Sequence, residues 1–383
     1  MNNISIQTEE YNTEVEKENF GDSLIISPFY PTKIDIQSKP VTIDSIVARL
    51  KYNEIDLFSD FQRKSDLWTP EKQSRLIESI LIRIPLPAFY FDGTNDNKWL
   101  IVDGLQRIST IFNFIVKDII EVKDEKGNRL PAMKLTNLEF LTDYHNKTFT
   151  QLPRDLQRRI LETQIPIFVI KPGTPDEIRY NIFLRVNNAF NLTPQEIRNV
   201  LYIGIPSKFI KELAELQEFK SATNYAIKPD RMEDRELVTR FISFYLIDYK
   251  TYNPDLDIFL NKGMATLNNP KIDFNKIKTD FIKSLNTCNA IFGNDAFRKR
   301  LNKDDKQKPI NKALFEVLTV SLSKIDDTLI NKLIEKKEDV KNKFIELCNH
   351  IDFWNSITTG TAEKNKVITR FEKVATFINS FNS

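Results

Sequence analysis

Strand-like patterning in this chain is confined to about its first 205 residues, and the remainder carries helical periodicity. Short apolar runs rich in β-branched and aromatic residues occur at 88–92, 99–102 and 165–170. The first two are separated by Gly93-Thr-Asn-Asp-Asn97, a turn composition. A further apolar segment at 119–122 with a Gly127-Asn128 turn reads as a hairpin. Beyond residue 205 the spacing predicts helices over 233–247, 274–292, 311–322, 328–347 and 364–377. Strands first and helices afterwards imply an α+β fold with a mostly helical C-terminal domain. The expected organisation is an acidic, loosely ordered arm over 1–38, an α+β domain over 39–205 and a helical domain over 206–383.

Local start signals support this division. Thr69-Pro70-Glu71 opens a helix, because Thr caps and Pro suits the first helical position. Leu76, Ile77, Ile80, Leu81 and Ile84 then share one helical face, and Pro85 and Pro87 end the run. Thr174-Pro-Asp-Glu177 and Thr193-Pro-Gln-Glu196 each place a Thr three residues before a Glu, a capping-box signal. Residues 108–116 read as helix.

Hydrophobic residues at 41% and charged residues at 28% are ordinary for a water-soluble globular chain. No stretch approaches the roughly 18 uninterrupted apolar residues of a membrane span, and MNNISIQTEE lacks the blocks of a signal peptide. Cys288 and Cys348 are too few for a disulfide framework, so the expected location is the cytoplasm, with no membrane partner. The net charge of +2 excludes a polycation that coats nucleic acid with its whole surface. Two local charge runs remain. Glu9, Glu10, Glu14, Glu16, Glu18 and Asp22 face only Lys17 within the first 22 residues. Arg298-Lys299-Arg300 with Lys303, Lys306 and Lys308 form a basic run interrupted by Asp304 and Asp305, read as a solvated loop or a phosphate-contacting patch.

Several chemistries are missing. None of the nine glycines precedes a Lys, so there is no GxxxxGK[ST] phosphate loop, and GxGxxG is absent. The two histidines, His145 and His350, are far apart and sit in no metal or triad motif, and the two cysteines lack metal-ligand spacing. Asp118, Glu121 and Lys123 form a weak nuclease-like pattern that a charged hairpin explains as well.

The most specific feature is the segment Trp99-Leu-Ile-Val-Asp-Gly-Leu-Gln-Arg-Ile-Ser-Thr110, in which Asp103-Gly104 joins an apolar strand to an amphipathic helix. Gly permits a sharp turn and close approach of a ligand. The helix start after it exposes unpaired N–H groups and a partial positive charge, a setting for phosphate. Arg107 could clamp phosphate oxygens, Gln106 can donate and accept, and Asp103 could orient water, hold a metal-bound water or orient Arg107. A purely structural arrangement, with Asp103 as a cap and Arg107 in a surface ion pair, fits the same residues. Asp60-Phe-Gln-Arg63 with Trp68, and Phe183-Leu-Arg-Val-Asn-Asn188 followed by Glu196-Ile-Arg-Asn199, add Arg, Gln and Asn clusters on either side.

Taken in order, FQRKSDLW, LIESILIRIPLPAFYF, DGLQRIST, FLRVNNAFNLTPQEIRN and RMEDRELVTRF resemble the DGQQR-motif family, whose N-terminal domain occurs in GmrSD modification-dependent restriction enzymes. The resemblance runs from about Val41 to the C-terminus, where DFWNSITTGTAEKNKVITRFEKV also matches the family's end. It implies a ParB/sulfiredoxin-like fold for the N-terminal domain and a role in prokaryotic restriction or anti-phage defence. It implies nucleoside triphosphate binding and hydrolysis at Asp103, Gly104, Gln106 and Arg107, with Asp103, Gln106 and Arg107 as catalytic candidates. Gln62, Arg63, Arg185 and Asn187 are the further nucleotide-binding candidates, Mg2+ is the candidate companion ion, and its ligands are not indicated. DNA and a separate nuclease subunit are the candidate macromolecular partners. The first Gln of the motif is Leu105 here, and no His-rich nuclease motif is present. Competing readings are a nucleic-acid-binding module using Arg63, Arg107 and Arg185 on phosphates, and a ParB-like DNA nuclease.

Overall fold

The computed structural model describes residues 15–16, 35–57, 68–95, 97–124, 126–186 and 193–382. Two compact units emerge: Phe29–Leu192, and Met1–Pro28 together with Thr193–Ser383. The first is α+β and the second helical, as the order of patterns implies.

The α+β unit is organised by a five-stranded mixed sheet of order β1-β5-β3-β4-β2. Its strands are β1 (Ile36–Thr42), β2 (Ile55–Asp56), β3 (Phe89–Asp92), β4 (Trp99–Asp103) and β5 (Gln164–Ile170). β5 lies antiparallel to β1 and parallel to β3, β3 lies antiparallel to β4, and β4 lies parallel to β2. Phe89, Phe91, Ile101, Ile165, Ile167 and Val169 put their side chains into one core. Helices α1 (Ile43–Lys51), α2 (Pro70–Leu81) and α3 (Leu105–Ile111) fill that core with Ile43, Ile46, Val47, Ile77, Ile80, Ile108 and Ile111. The Thr69 side chain caps α2, and Pro70 is its first residue, as local rules require.

Glu78 interrupts the apolar reading of α2 usefully. Its carboxylate is 2% exposed and accepts the backbone N–H groups of Glu139, Phe140 and Leu141, so it organises a loop that would otherwise bury unpaired donors.

Three local expectations are corrected. The hairpin expected from 119–122 and the Gly127-Asn128 turn is short: one antiparallel bridge, Lys123 to Arg129, flanked by Asp124 N–H to Asn128 O and Leu130 N–H to Val122 O. Helix α5 (Asp176–Val186), which comes after α4 (Arg154–Glu162) and β5, starts from Pro175 rather than from a Thr174 cap. The Thr174 hydroxyl is buried without a hydrogen-bond partner. The second capping box, Thr193 with Glu196, forms in full. The helix expected over 328–347 is two, Asp327–Glu335 and Lys337–Asn349, separated at Lys336.

In the helical unit, helices Glu233–Leu246, Phe274–Phe292, Lys312–Ser323 and Lys364–Asn379 surround a charged interior. Glu316 is wholly buried and accepts Arg240 at 3.0 Å and Arg370 Nε at 2.9 Å. Glu236 takes Arg240 at 3.2 Å and Lys312 at 2.8 Å. Burial pushes the Glu236 carboxyl upward, but Lys312 and Arg240 outweigh burial and hold it at about 2. A depressed carboxylate contributes stability that is complete above its unfolded value, near 4.5, and is lost as pH falls toward 2. Urea denaturation at pH 7 and pH 3 should therefore differ by on the order of 2–3 kcal/mol from this group. Glu236→Gln should reduce that difference, and an identical pH dependence in the two proteins would refute the assignment.

Candidate functional site

Chain direction and one glycine make the junction. β4 ends at Asp103, opposite Tyr90 of β3, where the register shifts between Tyr90 and Phe91. Gly104 turns the chain with φ +99°, the left-handed region. A Cβ there would also lie 2.6 Å from Cδ1 of Phe89. Glycine is thus required twice, by the torsion and by the ring. Helix α3 begins at once and continues through a π-helical turn, Phe112–Val116, to Ile119. No side chain caps it, whereas Thr42 and Thr69 cap α1 and α2. Gly104 at the cap position has no side chain with which to accept from the first turn.

Arg107, one turn into α3, reaches back over the junction. It donates to Pro87 O through one terminal nitrogen, and to Ala88 O at 3.2 Å and Asp103 Oδ2 at 2.9 Å through the other. Its guanidinium carbon lies 4.3 Å from the centre of the Phe89 ring. Burial pulls the Arg107 guanidinium below its ordinary value, and the Asp103 charge opposes that pull. The expected phosphate clamp is thus largely committed to the protein itself. Asp103 is different: with Oδ2 held by Arg107, its Oδ1 is buried and has no hydrogen-bond partner.

Gln106 accepts the Trp68 backbone N–H at 3.0 Å, and Gln73 donates to the Trp68 carbonyl at 2.9 Å. The chain entering α2 is thereby fastened to the motif helix. Leu105 packs against the hydrophobic core, so an apolar residue at this motif position suits its surroundings. Gln62, Arg63 and Asn187 lie outside the described residues. Arg185 is exposed near the end of α5, and among the described residues no hydrogen bond or ion pair ties it to the junction.

Residues that sequence reasoning passed over hold α5 in place. Asp92, with a fully buried side chain, accepts Arg179 through Nε at 2.8 Å and Nη2 at 2.6 Å, and takes Thr94 N–H on its other oxygen. Asp176 also pairs with Arg179, and α5 packs against β4, the strand that carries Asp103. The only advance signal was an Asp placed immediately before Gly93.

Residues 45–203 match the family model described as GmrSD restriction endonuclease, N-terminal domain. This segment is similar to that domain. No curated protein matches the chain. The GmrSD-type domain therefore contains both the β4–Gly104–α3 junction and the Asp92–Arg179 pair.

Other candidates are explained structurally. Asp118 accepts the Thr150 N–H at 2.7 Å, and Glu121 pairs with Lys123 at 3.6 Å. Among the described residues no group of three His, Cys, Asp or Glu is placed to hold a metal. His145 and His350 are exposed. Cys288 and Cys348 are buried, and burial pushes both thiols up, Cys348 to about 11. No helix among the described residues is long and apolar enough to cross a membrane.

Gly104→Ala should destabilise the α+β unit by about 2 kcal/mol or more, from positive φ and contact with Phe89 together. Adding Phe89→Leu should restore only the steric part. Thermal melts of the two variants check this, and an unchanged melting temperature in Gly104→Ala would contradict the described junction.

Proposed function

We propose that the GmrSD N-terminal-type domain binds a nucleoside triphosphate at the Asp103–Gly104–α3 junction and hydrolyses it, as the nucleotide-responsive component of a restriction-type or anti-phage system. The match of residues 45–203 to a family model named for a restriction endonuclease supports the setting. The observation that carries the site is Asp103 Oδ1, a buried carboxylate oxygen with no donor. Leaving such an atom unsatisfied costs about 1–3 kcal/mol or more, which a ligand donor, an ordered water or a cation offsets.

Phosphate groups suit the first turn of α3, where Gly104 supplies no capping side chain. The acceptor character of Asp103 sorts the rest of the ligand. It repels bare phosphate oxygens and takes a hydroxyl, an amine, a water or a cation. Mg2+ fits this donor set, since it is commonly held by one or two carboxylates together with substrate phosphates. When bound it would neutralise phosphate charge. Arg107 acts as a positioning residue: it fixes Oδ2 and so fixes where Oδ1 presents itself. Oδ1 is the atom that would orient an attacking water. Gln106 couples the entry to α2 to the same helix. Gln62, Arg63, Arg185 and Asn187 are further nucleotide contacts in this reading, and DNA cleavage falls to a separate nuclease subunit.

Purified protein should release phosphate from at least one nucleoside triphosphate in the presence of Mg2+, measured with and without DNA. Asp103→Asn should keep nucleotide binding and lose turnover by on the order of 10²-fold. Equal turnover in the two proteins would return Asp103 to a structural role. The chain alone should leave plasmid DNA intact with Mg2+ or Mn2+ and each nucleotide. Nicking that disappears in Asp103→Ala would instead make the same site a nuclease.

A further inference from the structure

Two aromatic rings stand on the sheet face that the core does not use. Phe89, Phe91, Ile167 and Val169 point into the core. Tyr90 and Phe168 alternate with them along β3 and β5 and so point the other way. The register places Ser38, Phe168, Tyr90 and Asp103 in one row across β1, β5, β3 and β4. Cross-strand partners share a face. The row therefore runs from an exposed serine, over two rings, to the carboxylate at the junction. Tyr90 and Phe168 are stacked, with ring centres 4.8 Å apart and planes 15° from parallel. That separation equals the spacing of neighbouring strands, so the rings stand face to face along the row.

The row lies at the margin of the cover on this face. On one side, Asp92 and Ile170 are register partners and both are buried, with Asp92 holding Arg179 of α5. On the other side, Pro40 and Pro166 are register partners and both are exposed. Tyr90 and Phe168, between these two rows, are half-buried. Among the described residues, neither the Tyr90 nor the Ser38 hydroxyl makes a hydrogen bond. The stack ends at Phe168, whose outer face turns toward Ser38, and a serine side chain is too small to cover a phenyl ring. Two rings that only shielded each other would not need an open end; a planar ligand uses one.

We propose that this row is the sugar and base subsite of the nucleotide. The triphosphate lies at the start of α3, the sugar crosses Tyr90 within reach of the phenol hydroxyl, and the base stacks on the outer face of Phe168 above Ser38. Ser38 is three strand spacings, about 14 Å, from Asp103, a span that suits an extended nucleotide. Stacking tolerates any base, because every base has a π face. Affinity at this subsite therefore depends on the ring of Phe168 more than on which base is bound. The inference rests on the nucleotide reading of the junction.

The test is isothermal titration calorimetry of the full chain with Mg2+. The ligands are non-hydrolysable analogues of the nucleoside triphosphates, and inorganic tripolyphosphate, which carries the phosphates without sugar or base. The native chain should bind a nucleoside triphosphate at least about tenfold more tightly than tripolyphosphate, the scale of one base–aromatic stack. Phe168→Leu should lose about tenfold for the nucleotide and nothing for tripolyphosphate. Phe168→Tyr should keep the native affinity. Ser38→Trp, at an exposed edge position, removes no buried side chain and should also lose about tenfold, because its own ring covers the face of Phe168. It decides the question if Phe168→Leu fails to fold. Native nucleotide affinity in either folded variant, a loss shared by tripolyphosphate, or equal affinity of the native chain for both kinds of ligand would overturn the proposal and leave the triphosphate site standing. A native chain that binds neither ligand would remove the nucleotide reading, and this subsite with it.

Discussion

Arg107 joins three pieces of chain that no local rule would bring together. Its guanidinium ties the strand end at Asp103, the carbonyls of Pro87 and Ala88, and the ring of Phe89 to the first turn of α3. The two carbonyls belong to the approach to β3, where Pro87 has no N–H of its own and the chain has just left α2. A lysine could carry the charge but could not serve both carbonyls and a carboxylate from one planar fork. This contact decides the chemistry of the site. By satisfying one oxygen of Asp103 it keeps the carboxylate in place, and it leaves the other oxygen as an acceptor in a part of the molecule otherwise filled by core side chains.

The two units use buried charge differently. In the α+β unit the ion pairs Asp103–Arg107 and Asp92–Arg179 sit at the ends of neighbouring strands and fasten helices to the sheet. In the helical unit Glu316 lies between Arg240 and Arg370, and all three are buried. Replacing both sides of such a network by apolar residues can be neutral, but removing one side strands a buried charge. The Glu16–Lys299 pair, whose side chains are 17% and 11% exposed, obeys the same physics.

The sequence was most legible where structure is local. Thr69-Pro70, the Gly104 turn and the Thr193 capping box involve neighbours within one turn, and each formed. Thr174 carries the same signal as Thr193 and failed, because Pro175 takes the cap position and α5 begins at Asp176. The break at Lys336 was invisible because Leu329, Leu333, Val340, Phe344 and Leu347 keep a three-four rhythm straight through it. β1 escaped notice because it is an edge strand with Pro40 in it and no clean alternation of burial. At the site, the motif identified the residues but not their work. Arg107 suggested a phosphate clamp, and only its partners 19 and 20 residues upstream reveal it as a fastener. Asp92 and Arg179 are 87 residues apart, beyond any pattern a single sequence displays.

A crystal structure of the chain with a non-hydrolysable nucleoside triphosphate and Mg2+ tests the central claim most directly. The account predicts phosphate density against the backbone N–H groups at the start of α3, a donor or cation on Asp103 Oδ1, and an unmoved Arg107. A triphosphate bound elsewhere, with Asp103 Oδ1 still lacking a partner, would contradict it.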